Sequence, residues 1–271
     1  MESTKILYVA QEIAPYVPES EMANLCRQLP QKMQEAGQEV RLFMPKFGHI
    51  NERRNQLHEV IRLSGANLDI DDTDHPLIIK VASLPNAHMQ VYFIDNEDFF
   101  VKKGIVSDND GVEFDDNDER MIFFARGVMD TVKKLKWQPQ IIHCNGFFSA
   151  LIPFYLKKHF SEDPFFENAK IVVSLYNESF DSALCDRMIQ KAVLGNLQPE
   201  DAGEFNGKAL SYNDLMKFAM SFSDGVVIAS DSVSTELISF ADSLSKPVLK
   251  TSGSAADNVA AYNDFYNEVI K

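Results

Sequence analysis

Polar and aromatic residues cluster at three places where a predicted β-strand ends. These stretches read 11-QEIAPYVPESE-21, 143-HCNGFFSA-150 and 176-YNESFD-181. In an open α/β sheet, ligands bind beyond the carboxyl ends of the strands, so these stretches form the candidate ligand-binding region. The candidate ligand-binding residues within them are Glu12, Glu21, His143, Asn145, Phe147, Phe148, Tyr176 and Asn177.

Two kinds of chemistry are open to these residue types. Carboxylates that converge at strand ends, such as Glu12 and Glu21, can differ in pKa and act as an acid and a base. Aromatic rings such as those of Phe147 and Phe148 can stack on the face of a sugar or form a buried protein contact. The alternative is that the three stretches are ordinary strand–helix loops and helix caps, with His143 as a hydrogen-bonded histidine of the core. We identify no residue as catalytic.

Several common site motifs are missing from the sequence. No strand is followed by G-x-G-x-x-G, and there is no Walker A lysine loop and no G-x-S-x-G elbow. The six histidines show no metal-ligand spacing. His143 and Cys144 are adjacent on one strand, where neighbouring side chains point to opposite faces. We therefore predict neither a metal site nor a cofactor.

The elements that position the candidate residues follow from the alternation of apolar runs with helical patterns. Strands are predicted at 5–10, 39–44, 77–83, 89–95, 140–144, 170–176 and 225–230. Several are apolar throughout, as is typical of strands buried on both faces of a parallel sheet. Helices are predicted at 20–36, 118–136, 147–159, 182–194, 211–222, 231–243 and 256–270. Pro30 is expected to kink or split the first helix. The alternation predicts an α/β fold with a doubly wound, mostly parallel, Rossmann-like sheet.

Two acidic stretches, 69–74 and 108–120, interrupt this alternation. A calcium-binding loop is the alternative for the second stretch, but its acidic residues do not match the spacing of an EF-hand. We interpret the second stretch as a solvated loop that leads into the start of a long helix. There, Asp115, Asp116 and Asp118 would lie at the positive end of the helix dipole.

Charge and composition exclude some classes of function. The chain of 271 residues has 26 Lys and Arg against 40 Asp and Glu, a net charge of −14. Because a nucleic-acid binder needs a basic face, no nucleic-acid partner is expected. No apolar run approaches the ~20 residues of a membrane-spanning helix, so no membrane partner is expected either. Three cysteines without a CxxC motif favour a reducing compartment, and we predict a cytoplasmic location.

The same stretches carry a resemblance to a known family. The segment 5-KILYVAQEIAPYVPESEMANLCRQLPQKMQEAGQEVRLFMPKFG-48 resembles the opening of bacterial glycogen synthases and plant starch synthases. The resemblance continues through 137-WQPQIIHCNGFFSALIPFYLK-157 and 213-NDLMKFAMSFSDGVVIASDSVSTELI-238, and it covers most of residues 5–240 in collinear order.

The resemblance implies a fold and an activity. Family members have two Rossmann-like halves, the glycosyltransferase B-type architecture, with the active site in the cleft between them. They transfer glucose from ADP-glucose to the end of an α-1,4-glucan. This chain corresponds to the first half only, and we expect the second half, which supplies most nucleotide-sugar contacts, to be absent.

Residue by residue, the chain departs from the family at the turn before the first helix. The family's lysine falls on Pro18, its two glycines on Ser20 and Glu21, and its aspartate on Asn24. Glycines at a helix N-terminus allow a diphosphate to approach the backbone N–H groups. Here Glu19 and Glu21 place negative charge at that position instead.

The other two stretches depart in the same way. The family's His-x-His-Asp-Trp-His reads His143-Cys144-Asn145-Gly146-Phe147-Phe148, so only the first histidine remains. The family's Thr-Ile-His-Asn reads Ser174-Leu175-Tyr176-Asn177, so the sugar-facing histidine is Tyr176 while Asn177 is retained.

These departures favour a catalytically degenerate relative of the synthase's first domain. It would bind an α-glucan, a nucleotide sugar or a protein partner without transferring glucose. One alternative is an active glucosyltransferase half that is completed by a separate second domain. The other is a different small-molecule enzyme on the same sheet.

For domain organisation we predict a Rossmann domain over 1–245 and a tail over 246–271. The amphipathic helix of the tail needs an apolar surface, so we expect it to pack on the domain or on a second copy. A homodimer through the former interdomain cleft is a further possible partner arrangement.

Overall fold

A nine-stranded sheet forms the centre of the computed structural model, which describes residues 3–251 and 255–271. Its strands in chain order are β1 (Lys5–Ala10), β2 (Glu39–Pro45), β3 (His58–Glu59), β6 (Ile78–Ser83), β7 (Gln90–Asp95), β8 (Ile141–Asn145), β9 (Lys170–Leu175), β10 (Gly225–Ile228) and β11 (Val248–Lys250). The strands between β3 and β6, β4 (Asn67–Ile70) and β5 (Thr73–Pro76), pair only with each other.

The order of strands across the sheet is β11-β10-β9-β8-β1-β2-β7-β6-β3. All neighbours from β11 to β7 pair in parallel, and β6 and β3 add an antiparallel edge. The order reverses direction at β1, which lies between β2 and β8. The predicted doubly wound, mostly parallel α/β fold is therefore confirmed.

The helices are α1 (Glu21–Glu35), α2 (Asn117–Lys134), α3 (Ile152–Lys158), α4 (Met188–Lys191), α5 (Tyr212–Ser221), α6 (Thr235–Ser243) and α7 (Ala255–Ile270). α1 connects β1 to β2 and contacts α7. The helices α2, α3, α5 and α6 lie on connections that run the opposite way across the sheet, from β7 to β8 and on through β9 and β10 to β11. Because right-handed crossovers are the rule, α1 and α7 cover one face of the sheet and the other long helices cover the opposite face. None of the helices in the described ranges is both long and apolar enough to cross a membrane.

Two of the expected helices differ in the structure. The predicted helix over 147–159 is a 3-10 turn, Phe147–Ser149, followed by α3, which starts at Ile152 and has Pro153 in its first turn, where proline fits. Pro30, expected to kink or split α1, lies inside it without splitting it. The acidic stretch 69–74 spans the β4–β5 hairpin, whose turn residues Asp71 and Asp72 have positive φ angles of 48° and 63°.

The second expected helix that differs is the one over 182–194, of which only α4 forms. Backbone donors of this segment are bound by distant acceptors. The Asp181 and Ser182 N–H groups donate to the Glu113 carboxylate, and the Leu184 N–H donates to the Leu210 carbonyl at 2.9 Å. Hydrogen bonds to distant partners thus replace the helical ones.

α7 packs closely on the sheet. Its side chains Tyr262, Phe265, Tyr266 and Val269 are buried. Gly225 of β10 allows this approach, because a Cβ there would lie 2.8 Å from Val269 Cγ2. The proposed boundary at residues 245 and 246 falls just before β11, which belongs to the main sheet, and residues 252–254 of the tail lie outside the described ranges.

Candidate functional site

The three candidate stretches meet because β1, β8 and β9 are neighbours in the sheet. Ala10 pairs with Asn145, and Asn145 pairs with Ser174, so the three strands end at nearly the same level. The chain leaves all three strands at the carboxyl edge of the parallel sheet, next to the point where the strand order reverses. This is where open α/β sheets bind their ligands.

A cavity of about 210 Å³ lies at this edge. It is lined by Glu12, Ser20, Glu21, Met22, Tyr176, Asn177 and Glu178. We refer to it as the glutamate cavity. Four of the eight candidate residues line it, namely Glu12, Glu21, Tyr176 and Asn177. The other four, His143, Asn145, Phe147 and Phe148, are buried behind it.

The N-terminus of α1 forms one wall of the glutamate cavity. Ser20 is the N-cap of α1, and its Oγ accepts a hydrogen bond from the Ala23 N–H at 2.9 Å. The same hydroxyl donates to Glu12 Oε2, which fixes the Glu12 carboxylate. Glu21 is exposed in the first turn, where negative charge is favourable for the helix. The Ala23 N–H, a backbone donor of the first helical turn, is therefore occupied by the Ser20 side chain.

Glu178 forms the opposite wall, and it is a residue of the candidate site that is absent from the sequence-based candidates. It is half-buried, and its carboxylate accepts hydrogen bonds from the Phe147 N–H at 3.1 Å and from Gln11 Nε2 at 3.4 Å. Burial, together with the negative charge of Glu12, raises the pKa of Glu178 to about 8, against the lowering effect of the Phe147 N–H. Glu178 lies two residues after Tyr176, inside one of the three candidate stretches, and this position could have identified it from the sequence.

The side chains of Tyr176 and Asn145 form a hydrogen bond with each other. The Tyr176 hydroxyl donates to Asn145 Oδ1 at 2.8 Å, and Asn145 Nδ2 donates to the His143 carbonyl at 3.0 Å. Both side chains are buried. Tyr176 therefore presents little ring surface to a ligand.

His143 is a core histidine. One ring nitrogen bonds to the Tyr266 hydroxyl at 2.7 Å and the other to Ser174 Oγ at 2.6 Å. The Tyr266 hydroxyl also lies 3.1 Å from the Tyr8 hydroxyl. Burial lowers the pKa of His143 to about 3, so the ring is neutral and links α7 to the sheet.

Phe147 and Phe148 belong to an aromatic cluster in the interior. Phe147 packs edge-on against Phe180 at a centroid distance of 5.5 Å, and Phe148 packs edge-on against Phe47, also at 5.5 Å. Both rings are at most 3% exposed. Neither ring offers a face on which a sugar could stack.

The electrostatics of the glutamate cavity follow from its lining. Three glutamates line it, and no Lys, Arg or His is among the described residues that do so. Within the described ranges, no group of three or more His, Cys, Asp or Glu side chains is arranged to hold a metal ion. A carboxyl group that keeps its proton near neutral pH, as Glu178 does, beside a second carboxyl group is an arrangement suited to acid–base chemistry.

Comparison with known proteins places this geometry in a family. The protein-family model described as starch synthase catalytic domain matches residues 5–249 of this chain. The chain belongs to the starch synthase catalytic domain family. Glycogen synthase of Chlorobaculum parvum is 35% identical over 238 residues, which are 87% of this chain and 47% of that protein. Glycogen synthase of Pelodictyon phaeoclathratiforme is 38% identical over 174 residues, 64% of this chain and 36% of that protein.

A solved structure supports the same architecture. The catalytic domain of starch synthase IV from Arabidopsis thaliana, bound to ADP and acarbose, matches with a TM-score of 0.71 at 17% identity. The match covers 95% of this chain and 53% of that chain. The chain thus spans about half the length of these family members, with the fold of the first half of their two-domain architecture.

Proposed function

We propose that this chain is a member of the starch synthase family that does not transfer glucose, and that it binds a partner at the carboxyl edge of its sheet. The glutamate cavity carries this proposal. At the start of α1, where the resemblance implies a lysine and a glycine turn for the nucleotide diphosphate, the chain has Pro18, Ser20 and Glu21. The Glu12 and Glu178 carboxyl groups face the same space.

Electrostatics oppose a diphosphate at this position. Two like unit charges about 4 Å apart repel by about 1 kcal/mol in water and about 4 kcal/mol near a protein surface. The glutamates Glu12 and Glu21 of the cavity therefore outweigh the helix dipole, which contributes roughly 0.3–1 kcal/mol to a nearby charge. Without the lysine, no Lys, Arg or His among the described residues that line the cavity offsets this repulsion.

The buried aromatic rings favour a partner over a sugar at this edge. Phe147, Phe148 and Tyr176 are the candidates for stacking on a sugar, and all three pack in the interior. Their burial supports repacking of the former site as core. In this account, adding a separate second half would not restore glucosyl transfer, because the groups replaced in this half would still be missing.

A titration with ADP tests the proposal. We expect no saturable binding of ADP to the native chain. The variant P18K/S20G/E21G/N24D, which restores the family's turn, should gain measurable affinity. A matched control, P18A/S20A/E21Q/N24A, changes the same positions without restoring the lysine and the glycines. This control should show no saturable binding of ADP. Saturable ADP binding by the native chain would contradict the proposal.

A second candidate function is acid–base chemistry on a small molecule. The observation that favours it is the shared cavity of Glu12 and Glu178, with the pKa of Glu178 raised to about 8. The cavity of about 210 Å³ is smaller than the ~300–1,000 Å³ of common ligand sites. If the native chain hydrolyses an aryl α-glucoside and Glu178→Gln does not, the result supports this function. Hydrolysis by both proteins at the background rate would contradict it.

A further inference from the structure

The negative charge of the chain is concentrated at one edge of the sheet. The loops 11–21, 96–116 and 176–187 all follow carboxyl ends of parallel strands, and we call them the acidic edge. Together they hold thirteen Asp and Glu against three Lys and Arg, which accounts for −10 of the net −14. The loops at the opposite edge, 36–38, 84–89, 135–140, 159–169, 222–224 and 244–247, hold four Asp and Glu against two Lys.

A second cavity, of about 240 Å³, opens within the acidic edge. We call it the Asp118 cavity. Its walls combine the carboxylates of Glu113, Asp115 and Asp118 with apolar side chains that include Met121, Phe180 and Leu184. No Lys, Arg or His is among the described residues that line it.

Asp118 carries unbalanced charge in this cavity. Its side chain is 1% exposed, and its Oδ2 accepts a hydrogen bond from Lys191 Nζ at 2.8 Å. The same ammonium bonds to Glu119 Oε1 at 2.6 Å, so one lysine serves two carboxylates. Asp118 Oδ1 is buried without a hydrogen-bond partner. A buried, unpaired carboxylate oxygen is costly, and a cation that reached it would remove that cost.

The cavity walls are held in place before any ligand arrives. The Glu113 carboxylate accepts hydrogen bonds from the Asp181 N–H at 2.7 Å and the Ser182 N–H at 2.8 Å. These bonds tie the 96–116 loop to the 176–187 loop across the cavity and lower the pKa of Glu113. A site that is ordered in advance loses less free energy on binding.

The size and surroundings of the cavity favour a side chain of a protein partner. The volume is below the ~300–1,000 Å³ of sites for whole small molecules. An apolar wall with a carboxylate at its end suits a Lys or Arg side chain, whose stem packs while its head pairs. Next to Glu113, the Val112 side chain is 63% exposed, and Val101 of the same loop is 65% exposed, which adds apolar contact area.

We propose that the acidic edge binds a positively charged protein segment, and that one Lys or Arg of this segment enters the Asp118 cavity and pairs with Asp118 Oδ1. This inference rests on the proposed binding function and specifies its partner. The loop 46–57, with Lys46, Arg53 and Arg54 against Glu52, has the opposite charge balance and marks one limit of the surface.

The probe is a short fluorescent peptide of alternating lysine and leucine, with a glutamate–leucine peptide as the negative control. Binding is followed by fluorescence anisotropy at low and at physiological ionic strength, about 0.15 M. We expect saturable binding of the lysine peptide only. Asp118→Asn should weaken it tenfold or more, because the isosteric amide removes the charge and leaves the shape of the cavity.

Two control variants distinguish pairing with Asp118 from a general effect of negative charge on peptide binding. Glu119→Gln removes the other carboxylate that shares Lys191, but Glu119 does not line the cavity. Glu167→Gln removes an exposed charge at the opposite edge. Each should weaken binding less than threefold. Equal weakening by all three variants would mean that the peptide senses only net charge, and the proposal would be wrong.

A surface variant tests the same cavity if Asp118→Asn does not fold. Ala183 is exposed at the mouth of the cavity, so Ala183→Lys places a cation there without touching Asp118. It should abolish peptide binding, whereas Asn168→Lys at the opposite edge should not. Unchanged binding by Ala183→Lys, or no binding to the native chain, would overturn the inference. Neither result affects the ADP titration, so the proposed lack of glucosyl transfer would stand or fall separately.

Discussion

Replacing Glu178 with glutamine should change how stability depends on pH. In the folded chain, burial and the charge of Glu12 raise the pKa of Glu178 from 4.5 to about 8. Between these values the folded state holds a proton that the unfolded state has released. Stability therefore falls as pH rises from about 4.5 to about 8, and it is constant above that range.

The expected change in the free energy of unfolding follows from the size of the pKa shift of Glu178. A pKa difference of about 3.5 corresponds to about 5 kcal/mol at 1.36 kcal/mol per pH unit. Since Glu178 is half-buried and keeps some contact with solvent, we expect about 2 kcal/mol. Glu178→Gln has no carboxyl group to ionise, and its amide oxygen can still accept the Phe147 N–H.

Urea unfolding at about pH 5 and about pH 9 measures the effect. The variant should match the native chain within about 0.5 kcal/mol at the lower pH and exceed it by about 2 kcal/mol at the higher pH. Glu21→Gln, an exposed carboxylate of the same cavity, should change stability by less than about 0.5 kcal/mol at either pH. Parallel pH profiles for the native chain and Glu178→Gln would refute this reasoning.

Three further predictions concern the contact of α7 with the sheet. Tyr266→Phe removes the hydroxyl that bonds to His143 and Tyr8, and urea unfolding should show a loss of about 1–3 kcal/mol; an unchanged midpoint would exclude a stabilising role for these bonds. Gly225→Ala forces a methyl group against Val269, and thermal unfolding should report a loss of about 1–3 kcal/mol; an unchanged melting temperature would contradict the close packing of α7 on β10. Because the folded pKa of His143 is lowered from 6.5 to about 3, stability should fall as pH decreases through this range; a titration of the ring by NMR near pH 6.5 would contradict the neutral, buried assignment.

The sequence was sufficient to predict the elements whose apolar patterns are strong. β1, β8 and β9 are short runs that are buried almost throughout, and the core positions of α2 recur at helical spacing. The β4–β5 hairpin was missed because its residues are mostly polar, and an Asp-Asp turn in the left-handed region is not distinctive.

The candidate site was predicted in position but only partly in composition. The reversal of strand order at β1 brings the three stretches together, as an open parallel sheet requires. Burial of Phe147 and Phe148 could not be deduced, because a 3-10 turn after β8 directs them into the core. The role of Glu178 depends on its distance from Glu12, and no sequence pattern specifies that distance.

Transfer of labelled glucose from ADP-glucose to a maltooligosaccharide tests the central claim most directly. The native chain is assayed alone and together with the separately produced second half of a curated glycogen synthase, with that whole synthase as the positive control. The account predicts no transfer above background from the native chain in either mixture, while the whole synthase is active. Transfer that requires the native chain would contradict the claim that the replaced residues removed glucosyl transfer.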